Sequence, residues 1–268
     1  MKIAVAMSGG IDSSVAALLL TRQGHEVTGI MARFLPRSEL NDKLFEKSLE
    51  DAMAAADHCR IRLTTYDFSS RFEDMVITPF CMEYLRGRTP NPCVLCNQSV
   101  KFGLLLDAAY KNGCEYFATG HYAVKKSGDG RHFISMGRDT DRDQSYFLCR
   151  LSQDQLSGSL FPLGSYLKNE IRGIAADEGL ILHDKPDSQE ICFIPDHDYA
   201  AFVSAHRGAH ETSGEFVDTA GNVLGEVDGG WAVTHTTLMY ERGQIGATRD
   251  RKLAQRMIDA ARAGGTLD

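Results

Sequence analysis

The sequence predicts an α/β fold in which helices cover both faces of a parallel β-sheet. Apolar runs that suit buried strands alternate with helical patterns from residue 1 to about residue 123, the arrangement of a parallel sheet with crossover helices. The first run, residues 3–6, passes through a glycine-containing loop into a helical pattern at residues 15–23. A loop in this position lies at the carboxyl end of a strand, where such sheets bind ligands.

Hydrophobic periodicity places the other elements in order. We predict strands at residues 26–31, 61–68 and 115–121, helices at residues 39–58 and 72–85, and a helical pattern around residues 102–109. A hairpin follows at residues 124–137, with Ser-Gly-Asp-Gly at its turn. Helix-like stretches follow at 151–160 and 167–178. A second hairpin is predicted at 214–225, with its turn at 221–222. The chain then continues with a predicted strand at 231–238 and an amphipathic helix at 251–262. We therefore predict a main domain at residues 1–200 and a smaller mixed α+β appendage at residues 201–268.

Composition limits the classes of function. The chain has 268 residues, of which 43% are hydrophobic and 24% charged, as in a globular protein that buries a sizeable core. No apolar run reaches the length of a membrane span and the N-terminus lacks a signal-peptide pattern, so we expect a cytoplasmic protein with no membrane partner. The net charge of −7 means that any surface for nucleic acid must be local.

Residues 7–14, Met-Ser-Gly-Gly-Ile-Asp-Ser-Ser, form the predicted ligand loop. Gly9 and Gly10 let the backbone approach a ligand and turn successive amides toward it. The loop enters the positive end of a helix, with Ser13 and Ser14 near its first turn, which favours an anion. We interpret it as a phosphate-binding loop rather than only a serine-capped helix. No Gly-Lys-Ser/Thr follows, so a Walker loop and γ-phosphate kinase chemistry are disfavoured.

The cysteines indicate thiol or metal chemistry. Seven of them, an odd number, argue against a disulfide framework. Cys93 and Cys96 form a C-x-x-C pair behind a proline-fixed turn, which suits a metal, an iron–sulfur cluster or a dithiol switch. Cys192 stands alone in a polar-to-apolar turn. The remaining cysteines lie in apolar patterns and are expected to be buried: Cys59, Cys81, Cys114 and Cys149.

A local basic segment is a candidate RNA surface. Residues 125–150 contain more lysine and arginine than aspartate and glutamate, and Tyr146 and Phe147 lie among them. A solvated charged face is the ordinary explanation of such a segment. Interleaved aromatics make an RNA-facing patch reasonable, because phosphates bind cations and unstacked bases bind aromatic rings.

The order of six motifs resembles that of the tRNA-specific 2-thiouridylases, the MnmA family of the PP-loop ATP pyrophosphatase superfamily. The motifs are SGGIDSS, TPNPCVLCNQSVKFG, ATGHYA, RDQSYFL, LFPLG and DSQEICFI, and the resemblance covers residues 1 to about 202. It implies a PP-loop fold, a tRNA partner and a sulfur donor, which would be a relay protein, a cysteine desulfurase or free sulfide. It also implies that ATP, with Mg²⁺, adenylates the C2 oxygen of the wobble uridine and that sulfur replaces this oxygen.

The resemblance assigns roles to individual positions. Asp12 would place Mg²⁺ or orient the loop, Cys96 would be the catalytic cysteine and Cys192 would carry a persulfide. The positions that would bind ATP are Ser8, Gly9, Gly10, Ser13 and Ser14 at the pyrophosphate portion and Met31 and Gly120 at the adenosine. The positions that would contact tRNA are Asn91, Pro92 and Cys93 at the target base, with His121, Arg142, Asp143 and Gln144.

Departures from the family pattern leave alternatives open. Many relatives have aspartate at the position of Cys93, and a third thiolate opens a 4Fe–4S cluster on Cys93, Cys96 and Cys192 as a second route. The persulfide route has no use for Cys93, which favours the cluster. Glu190 replaces a usual glycine, and the resemblance stops before the relatives' C-terminal β-barrel, so we expect a truncated relative. A PP-loop adenylating ligase or amidotransferase-type enzyme and a non-catalytic nucleotide- or tRNA-binding relative remain as alternatives.

Overall fold

A computed structural model describes residues 1–86, 88–180, 191–194, 198–207, 214–217 and 223–227. These residues divide into two compact units. The first consists of Met1–Ile77 with Pro92–Gln189, and the second of Thr78–Asn91 with Glu190–Asp268. The second unit thus takes a short segment from within the first part of the chain. The boundary near residue 200 stays a prediction.

A parallel sheet forms the centre of the first unit and confirms the predicted fold class. Its strands, among the residues that the structure describes, are β1 (Lys2–Ala6), β2 (Glu26–Arg33), β3 (Arg62–Asp67), β4 (Tyr116–Ala118) and β7 (Ser159–Leu160). They lie in the order β3-β2-β1-β4-β7 with parallel pairing throughout. The central strand is covered on both faces, since Ile3, Ala4 and Val5 are 0% exposed.

One face of the sheet packs against three helices, α1 (Ile11–Arg22), α2 (Glu39–Cys59) and α8 (Lys168–Asp177). Side chains alternate along a strand, so Ile3 and Val5 face this layer, where Val15, Ala52 and Ile171 lie in the same core cluster. Ser38 is the N-cap of α2, because its hydroxyl oxygen accepts a hydrogen bond from the Asn41 amide at 3.1 Å.

The opposite face packs against α6 (Leu106–Lys111) and the π-helix Cys96–Leu105, which follows the short helix α5 (Pro92–Leu95). Phe102 and Leu105 form a core cluster there with Ala4 and Phe117. Helix α3 (Ser69–Phe72) and a π-helical stretch, Glu73–Ile77, lead to the end of the first segment. Pro92 opens α5 because proline is tolerated in the first helical turn.

The predicted hairpin after β4 is confirmed. Strands β5 (Ala123–Gly128) and β6 (Arg131–Met136) pair antiparallel. The connecting residues Asp129 and Gly130 have φ of +51° and +71°, as the two central residues of a type I′ turn require. Asp-Gly at this turn therefore fixes the hairpin register.

Some predicted helices are wrong in extent. The stretch predicted at 151–160 is a short helix, α7 (Gln153–Ser157), followed by strand β7, whose two residues are too few to show a period. The helix predicted at 72–85 is interrupted by the π-helical stretch and continues as α4 (Thr78–Leu85) in the second unit. Strand β4 ends at Ala118, before the predicted end at residue 121.

The second unit contains α4, α9 (Tyr199–Arg207) and an antiparallel pair, β8 (Gly214–Val217) with β9 (Val223–Val227). The ring of Phe80 is 0% exposed and lies 5.2 Å from Phe193 and 6.3 Å from Phe202, centroid to centroid. The strand pair agrees with the second predicted hairpin. Its predicted turn, the strand at 231–238 and the helix at 251–262 lie outside the described residues. No helix in the described part of the chain is long and apolar enough to span a membrane.

Candidate active site

The predicted phosphate loop connects β1 to α1 at the carboxyl end of the central strand. The Met7 amide donates to the Ile30 carbonyl oxygen at 2.8 Å, which holds the start of the loop against β2. Gly9 has φ of +69°, and a Cβ at this position would overlap the Ser48 carbonyl oxygen of α2. The loop therefore lies directly on the backbone of α2, and only glycine tolerates both the positive φ and this close approach.

The three serines of the loop have different surroundings. The hydroxyls of Ser13 and Ser14 both donate to the Gly10 carbonyl oxygen at 2.9 Å, and the two residues are 5% and 0% exposed. The Ser8 amide donates to Ser13 Oγ at 3.2 Å, while the Ser8 side chain is exposed. Ser13 and Ser14 therefore shape the loop. The exposed Ser8 hydroxyl lies 3.3 Å from Ser13 Oγ, and its role at a phosphate stays a prediction.

The end of β4 lies against the first turn of α1. A Cβ on Gly120 would lie 2.9 Å from the Asp12 carbonyl carbon and 3.0 Å from the Ser13 amide nitrogen, so the structure brings Gly120 to the loop as predicted from strand order. Met31, on β2, is 4% exposed and belongs to the core cluster of the α1 face. Its side chain lies in the core, and its role at adenosine stays a prediction.

Asp12 lies at the centre of a polar cluster that sequence reasoning did not find. Tyr122 donates its hydroxyl proton to Asp12 Oδ1 at 2.7 Å. Lys168 Nζ donates to both Asp12 carboxylate oxygens at 2.8 Å. The Lys168 side chain is only 11% exposed and that of Asp12 33%. Lys168 is the first residue of α8, 156 positions from Asp12, and no local pattern distinguishes it from an ordinary surface lysine.

The predicted tRNA triplet lies on the loop that follows the hairpin. The Gln144 side-chain oxygen accepts from the Tyr122 amide at 3.1 Å, and the Gln144 amide donates to the Tyr122 carbonyl at 2.9 Å. Asp143 accepts from the Gly137 amide at 2.9 Å, so its carboxylate holds the loop. Arg142 is exposed, and its contact with tRNA stays a prediction.

His121, which the resemblance assigns to a tRNA contact, is buried. It is 7% exposed, its Nδ1 lies 2.7 Å from Thr119 Oγ1, and its ring lies 5.9 Å from that of Phe102. Burial, and secondarily the charge of Lys101, hold its pKa well below 6.5. His121 is therefore a neutral core side chain at pH 7, and this placement gives no support to a direct contact with RNA.

The C-x-x-C pair lies at the start of the π-helix on the opposite face of the sheet. Cys93 is exposed on α5 and Cys96 is 8% exposed. Although the Cys93 side chain reaches solvent, surrounding protein displaces part of its hydration and raises its thiol pKa, an effect that Lys101 only partly offsets. Cys93 is therefore a protonated thiol at neutral pH unless a metal or another group replaces the proton.

A continuous chain of contacts joins the cysteine helix to the phosphate loop. Asn97, next to Cys96, donates from Nδ2 to the Phe147 carbonyl at 3.3 Å. Phe147 lies in the turn Ser145–Leu148, which directly follows Gln144, and Gln144 bonds to Tyr122, the partner of Asp12. Residues from three separate motifs thus form one region of the first unit.

Cys192 and Asn91 belong to the second unit. Cys192 is exposed in a turn closed by the Ile194 amide, which donates to the Ile191 carbonyl at 2.9 Å. The neighbouring Phe193 is 6% exposed and anchors this turn in the aromatic cluster of Phe80. Asn91 is half-buried, and Pro92, the first residue of the next segment of the first unit, is buried.

The other cysteines mostly agree with prediction. Cys59 and Cys81 are buried, Cys114 is half-buried and Cys149 is exposed. Burial raises the pKa of Cys59 to about 11. The expectation for Cys149 is wrong because its neighbour Leu148 takes the core position at the end of the short turn.

The side chains of the site differ in the metal groups that they could bind. Among the described residues, no three His, Cys, Asp or Glu side chains form a group that could hold a metal ion. The three-cysteine 4Fe–4S site stays a prediction, because Cys93 and Cys96 belong to the first unit and Cys192 to the second, and no chemical step is derived through a cluster. Mg²⁺ has different needs, since it uses one or two carboxylates together with substrate phosphates. Asp12 fits that role, because its Oδ2 accepts the hydrogen bond from Lys168 and keeps a further lone pair.

The sheet order and the Ser-Gly-Gly loop at the end of its central strand define a parallel α/β protein with a candidate phosphate-binding loop. Sequence comparison narrows the class, because residues 1–196 match the family described as tRNA methyl transferase HUP domain. The tRNA-specific 2-thiouridylase MnmA of Treponema denticola is 46% identical over 91% of this chain and 67% of its own length. The MnmA of Geotalea uraniireducens is 43% identical over 99% of this chain and 72% of its own. The chain belongs to the MnmA family of tRNA-specific 2-thiouridylases.

A comparison of structures gives a more distant similarity. The U34-tRNA thiolase NcsA of Methanococcus maripaludis, with its 4Fe–4S cluster, has a TM-score of 0.47 and 18% sequence identity to this chain. The match covers 78% of this chain and 71% of that chain.

Proposed function

We propose that this chain is an ATP-dependent tRNA-uridine 2-sulfurtransferase that replaces the C2 oxygen of the wobble uridine with sulfur. The observation that carries the proposal is the chain of contacts from Asp12 through Tyr122 and Gln144 to Asn97 and Cys96, which joins a phosphate loop to a thiol. Family membership supports the same reaction class.

The loop is suited to the first half of the reaction. A uracil oxygen is a poor leaving group, so the C2 oxygen attacks the α-phosphorus of ATP, diphosphate leaves and an O-adenylated base results. The Gly9–Gly10 amides and the N-terminus of α1 bind the anionic phosphates. Asp12 would hold Mg²⁺, which offsets phosphate charge during this displacement. The exposed Ser8 hydroxyl adds a donor at the same edge.

Thiols perform the second half. Cys192, exposed on its turn, receives a sulfane sulfur from a donor and carries it as a persulfide. The terminal sulfur forms a bond to C2 and AMP departs with the original oxygen. Cys96 takes the remaining Cys192 sulfur into a disulfide, and an external thiol then supplies the two electrons that reduce it. The raised pKa of Cys93 argues against a nucleophilic role for that residue.

The partners follow from this chemistry. The hairpin β5–β6 and the exposed Arg142 form the basic surface that we assign to tRNA. An exposed thiol at Cys192 suits delivery of sulfur by another protein, a relay protein or a cysteine desulfurase. A tRNA substrate implies a cytoplasmic enzyme.

The test is thiolation of bulk tRNA with ATP, Mg²⁺ and a persulfide donor, with 2-thiouridine measured by mass spectrometry. Cys96→Ser and Cys192→Ser should abolish 2-thiouridine, whereas Cys149→Ser, a matched exposed cysteine outside the motifs, should not. Cys93→Ser should keep most of the activity.

Three other outcomes would change the proposal. A dead Cys93→Ser variant, together with iron and sulfide in anaerobically purified protein, would favour the cluster route. Turnover with ammonia or an amine as the acceptor, retained in all three motif variants, would favour an adenylating ligase. A wild-type chain that binds nucleotide and tRNA but releases no diphosphate would be a non-catalytic relative.

A further inference from the structure

We propose that Lys168 is the cation that binds the diphosphate portion of the nucleotide, a role that a Walker loop gives to its own lysine. The inference rests on the proposed function, because it requires a polyphosphate ligand at the Ser8–Ser14 loop. It adds a binding residue from a distant helix, α8, to a loop that has no lysine or arginine of its own.

The structure holds Lys168 at the loop by both ends of the residue. Its backbone amide donates to Asp139 Oδ2 at 2.7 Å, which fixes the start of α8. Its ammonium lies 2.8 Å from both oxygens of Asp12 and 5.8 Å from the centroid of the Tyr122 ring. With 11% of the side chain exposed, the ammonium has exchanged most of its water for these partners.

Such an ion pair is a weak source of stability. Removing an ammonium and a carboxylate from water costs about as much as their attraction returns, so a hydrophobic pair of the same volume often serves the fold as well. What distinguishes this ion pair is its location. It lies at the first turn of α1, and 33% of the Asp12 side chain is exposed. A ligand at the loop therefore reaches the pair from solvent.

Polyphosphate and Mg²⁺ together offer Asp12 and Lys168 better partners than the two residues offer each other. Mg²⁺ prefers the oxygen ligand that Asp12 provides, and the ammonium prefers the phosphate oxygens, which carry more charge than one carboxylate. In the unliganded protein, Asp12 thus keeps Lys168 oriented toward the loop, and ligand binding exchanges the partners. Lys168 acts on the diphosphate portion and not on adenosine.

The experiment measures binding by isothermal titration, without tRNA or sulfur donor, using inorganic diphosphate, ATP and adenosine as separate probes in Mg²⁺ buffer. Lys168→Met should weaken diphosphate and ATP binding by about ten- to hundredfold, as expected for a charged hydrogen bond. Adenosine binding should not change, and Lys168→Arg should recover part of the loss. Lys2→Met removes a lysine at the amino end of β1 whose Nζ lies 3.5 Å from Glu26 Oε1, and it should bind all probes normally.

A double variant separates ligand contact from a purely structural ion pair. If Lys168 touches phosphate, Lys168→Met should weaken diphosphate binding further in an Asp12→Asn background. If it only neutralises Asp12, the Asp12→Asn/Lys168→Met protein should bind no worse than Asp12→Asn alone, and the inference would be overturned. Because the double variant removes both charges, it also guards against misfolding from an unpaired buried carboxylate.

The inference and the proposed function can fail separately. Diphosphate binding that depends on Lys168 in a protein that never thiolates tRNA would support the inference and refute the sulfurtransferase. Normal thiolation with diphosphate affinity independent of Lys168 would refute the inference alone. A wild-type chain that binds neither ATP nor diphosphate would refute both.

Discussion

Gly9 shows how a single residue determines the geometry of the phosphate loop. It combines a left-handed backbone conformation with a close approach to α2, such that a Cβ added here would overlap the Ser48 carbonyl oxygen. Neither condition can be relieved by a side-chain rotation, because both involve backbone atoms. The loop and α2 must therefore move together if any other residue occupies the position.

We expect Gly9→Ala to lower the free energy of unfolding by roughly 2–5 kcal/mol, from backbone strain and overpacking. Nucleotide binding should be lost as well. Gly173→Ala is the matched control, because no heavy atom lies within 4 Å of its Cβ position in α8. It should stabilise the protein by up to about 1 kcal/mol through helix propensity. Urea denaturation of both variants tests this, and equal stabilities would contradict it.

His121 gives a prediction about pH. Burial holds the pKa of His121 in the native protein well below 6.5. At a pH between this native pKa and the unfolded value of about 6.5, the unfolded chain therefore binds a proton that the native protein does not. Stability must then rise with pH through this window and fall as the solution is acidified below about pH 6.5. Between pH 7.5 and 5.5, the wild type should lose roughly 1 kcal/mol more than His121→Gln. Denaturant titrations at the two pH values measure this, and parallel losses would count against a neutral buried His121.

At the scale of elements, the turn Ser145–Leu148 couples the cysteine helix to the nucleotide loop. Asn97 is 2% exposed and its Oδ1 is a buried acceptor with no hydrogen-bond partner among the described residues. A polar side chain kept in such a place, beside Cys96, indicates a positioning role, because an apolar residue would pack at lower cost.

Asn97→Ala should lower the free energy of unfolding by about 1–3 kcal/mol, since the Phe147 carbonyl loses its partner. It should also reduce thiolation while ATP affinity is retained. Asn112→Ala, which removes an exposed amide that bonds to Tyr66, should leave thiolation unchanged. The comparison needs thermal unfolding and the tRNA assay, and an Asn97→Ala enzyme with full activity would exclude the positioning role.

Elements with a clear period or a specific turn residue were predictable from sequence. The continuous apolar run of β1 and the Asp129-Gly130 turn show why, because the local pattern alone determines the outcome. Strand β7 was missed because Ser159 becomes a strand residue only by pairing with Phe117 of β4. The π-helix at Cys96 has no sequence signature that distinguishes it from an α-helix.

Site residues divide in the same way. Gly9 and Asp12 were found because they lie in one contiguous motif, and Gly120 because strand order places it beside that motif. Lys168 could not be found, since its role depends on an ion pair across 156 positions. The burial of His121 could not be predicted, since a sequence cannot show that Phe102 packs near its ring.

At the scale of the whole molecule, a chain with a net charge of −7 must bind tRNA through a local surface. Arg142→Ala should weaken tRNA binding and reduce the slope of log affinity against log salt concentration by about one, as for the loss of one phosphate contact. Arg62→Ala, an exposed arginine at the amino end of β3, should leave the slope unchanged. Filter binding at several salt concentrations measures both, and equal slopes for the two variants would place the tRNA elsewhere.

The burial of Phe80 bears on how this protein can be divided for study. The phenylalanine lies in an early segment of the chain, yet the rings that enclose it, Phe193 and Phe202, come more than a hundred positions later. A fragment that stops at residue 196, where the tRNA methyl transferase HUP domain match ends, would omit Phe202 and expose apolar side chains of α4. Expression fragments for crystallography should therefore extend at least through Arg207, because the end of that domain match is not the end of the packed core.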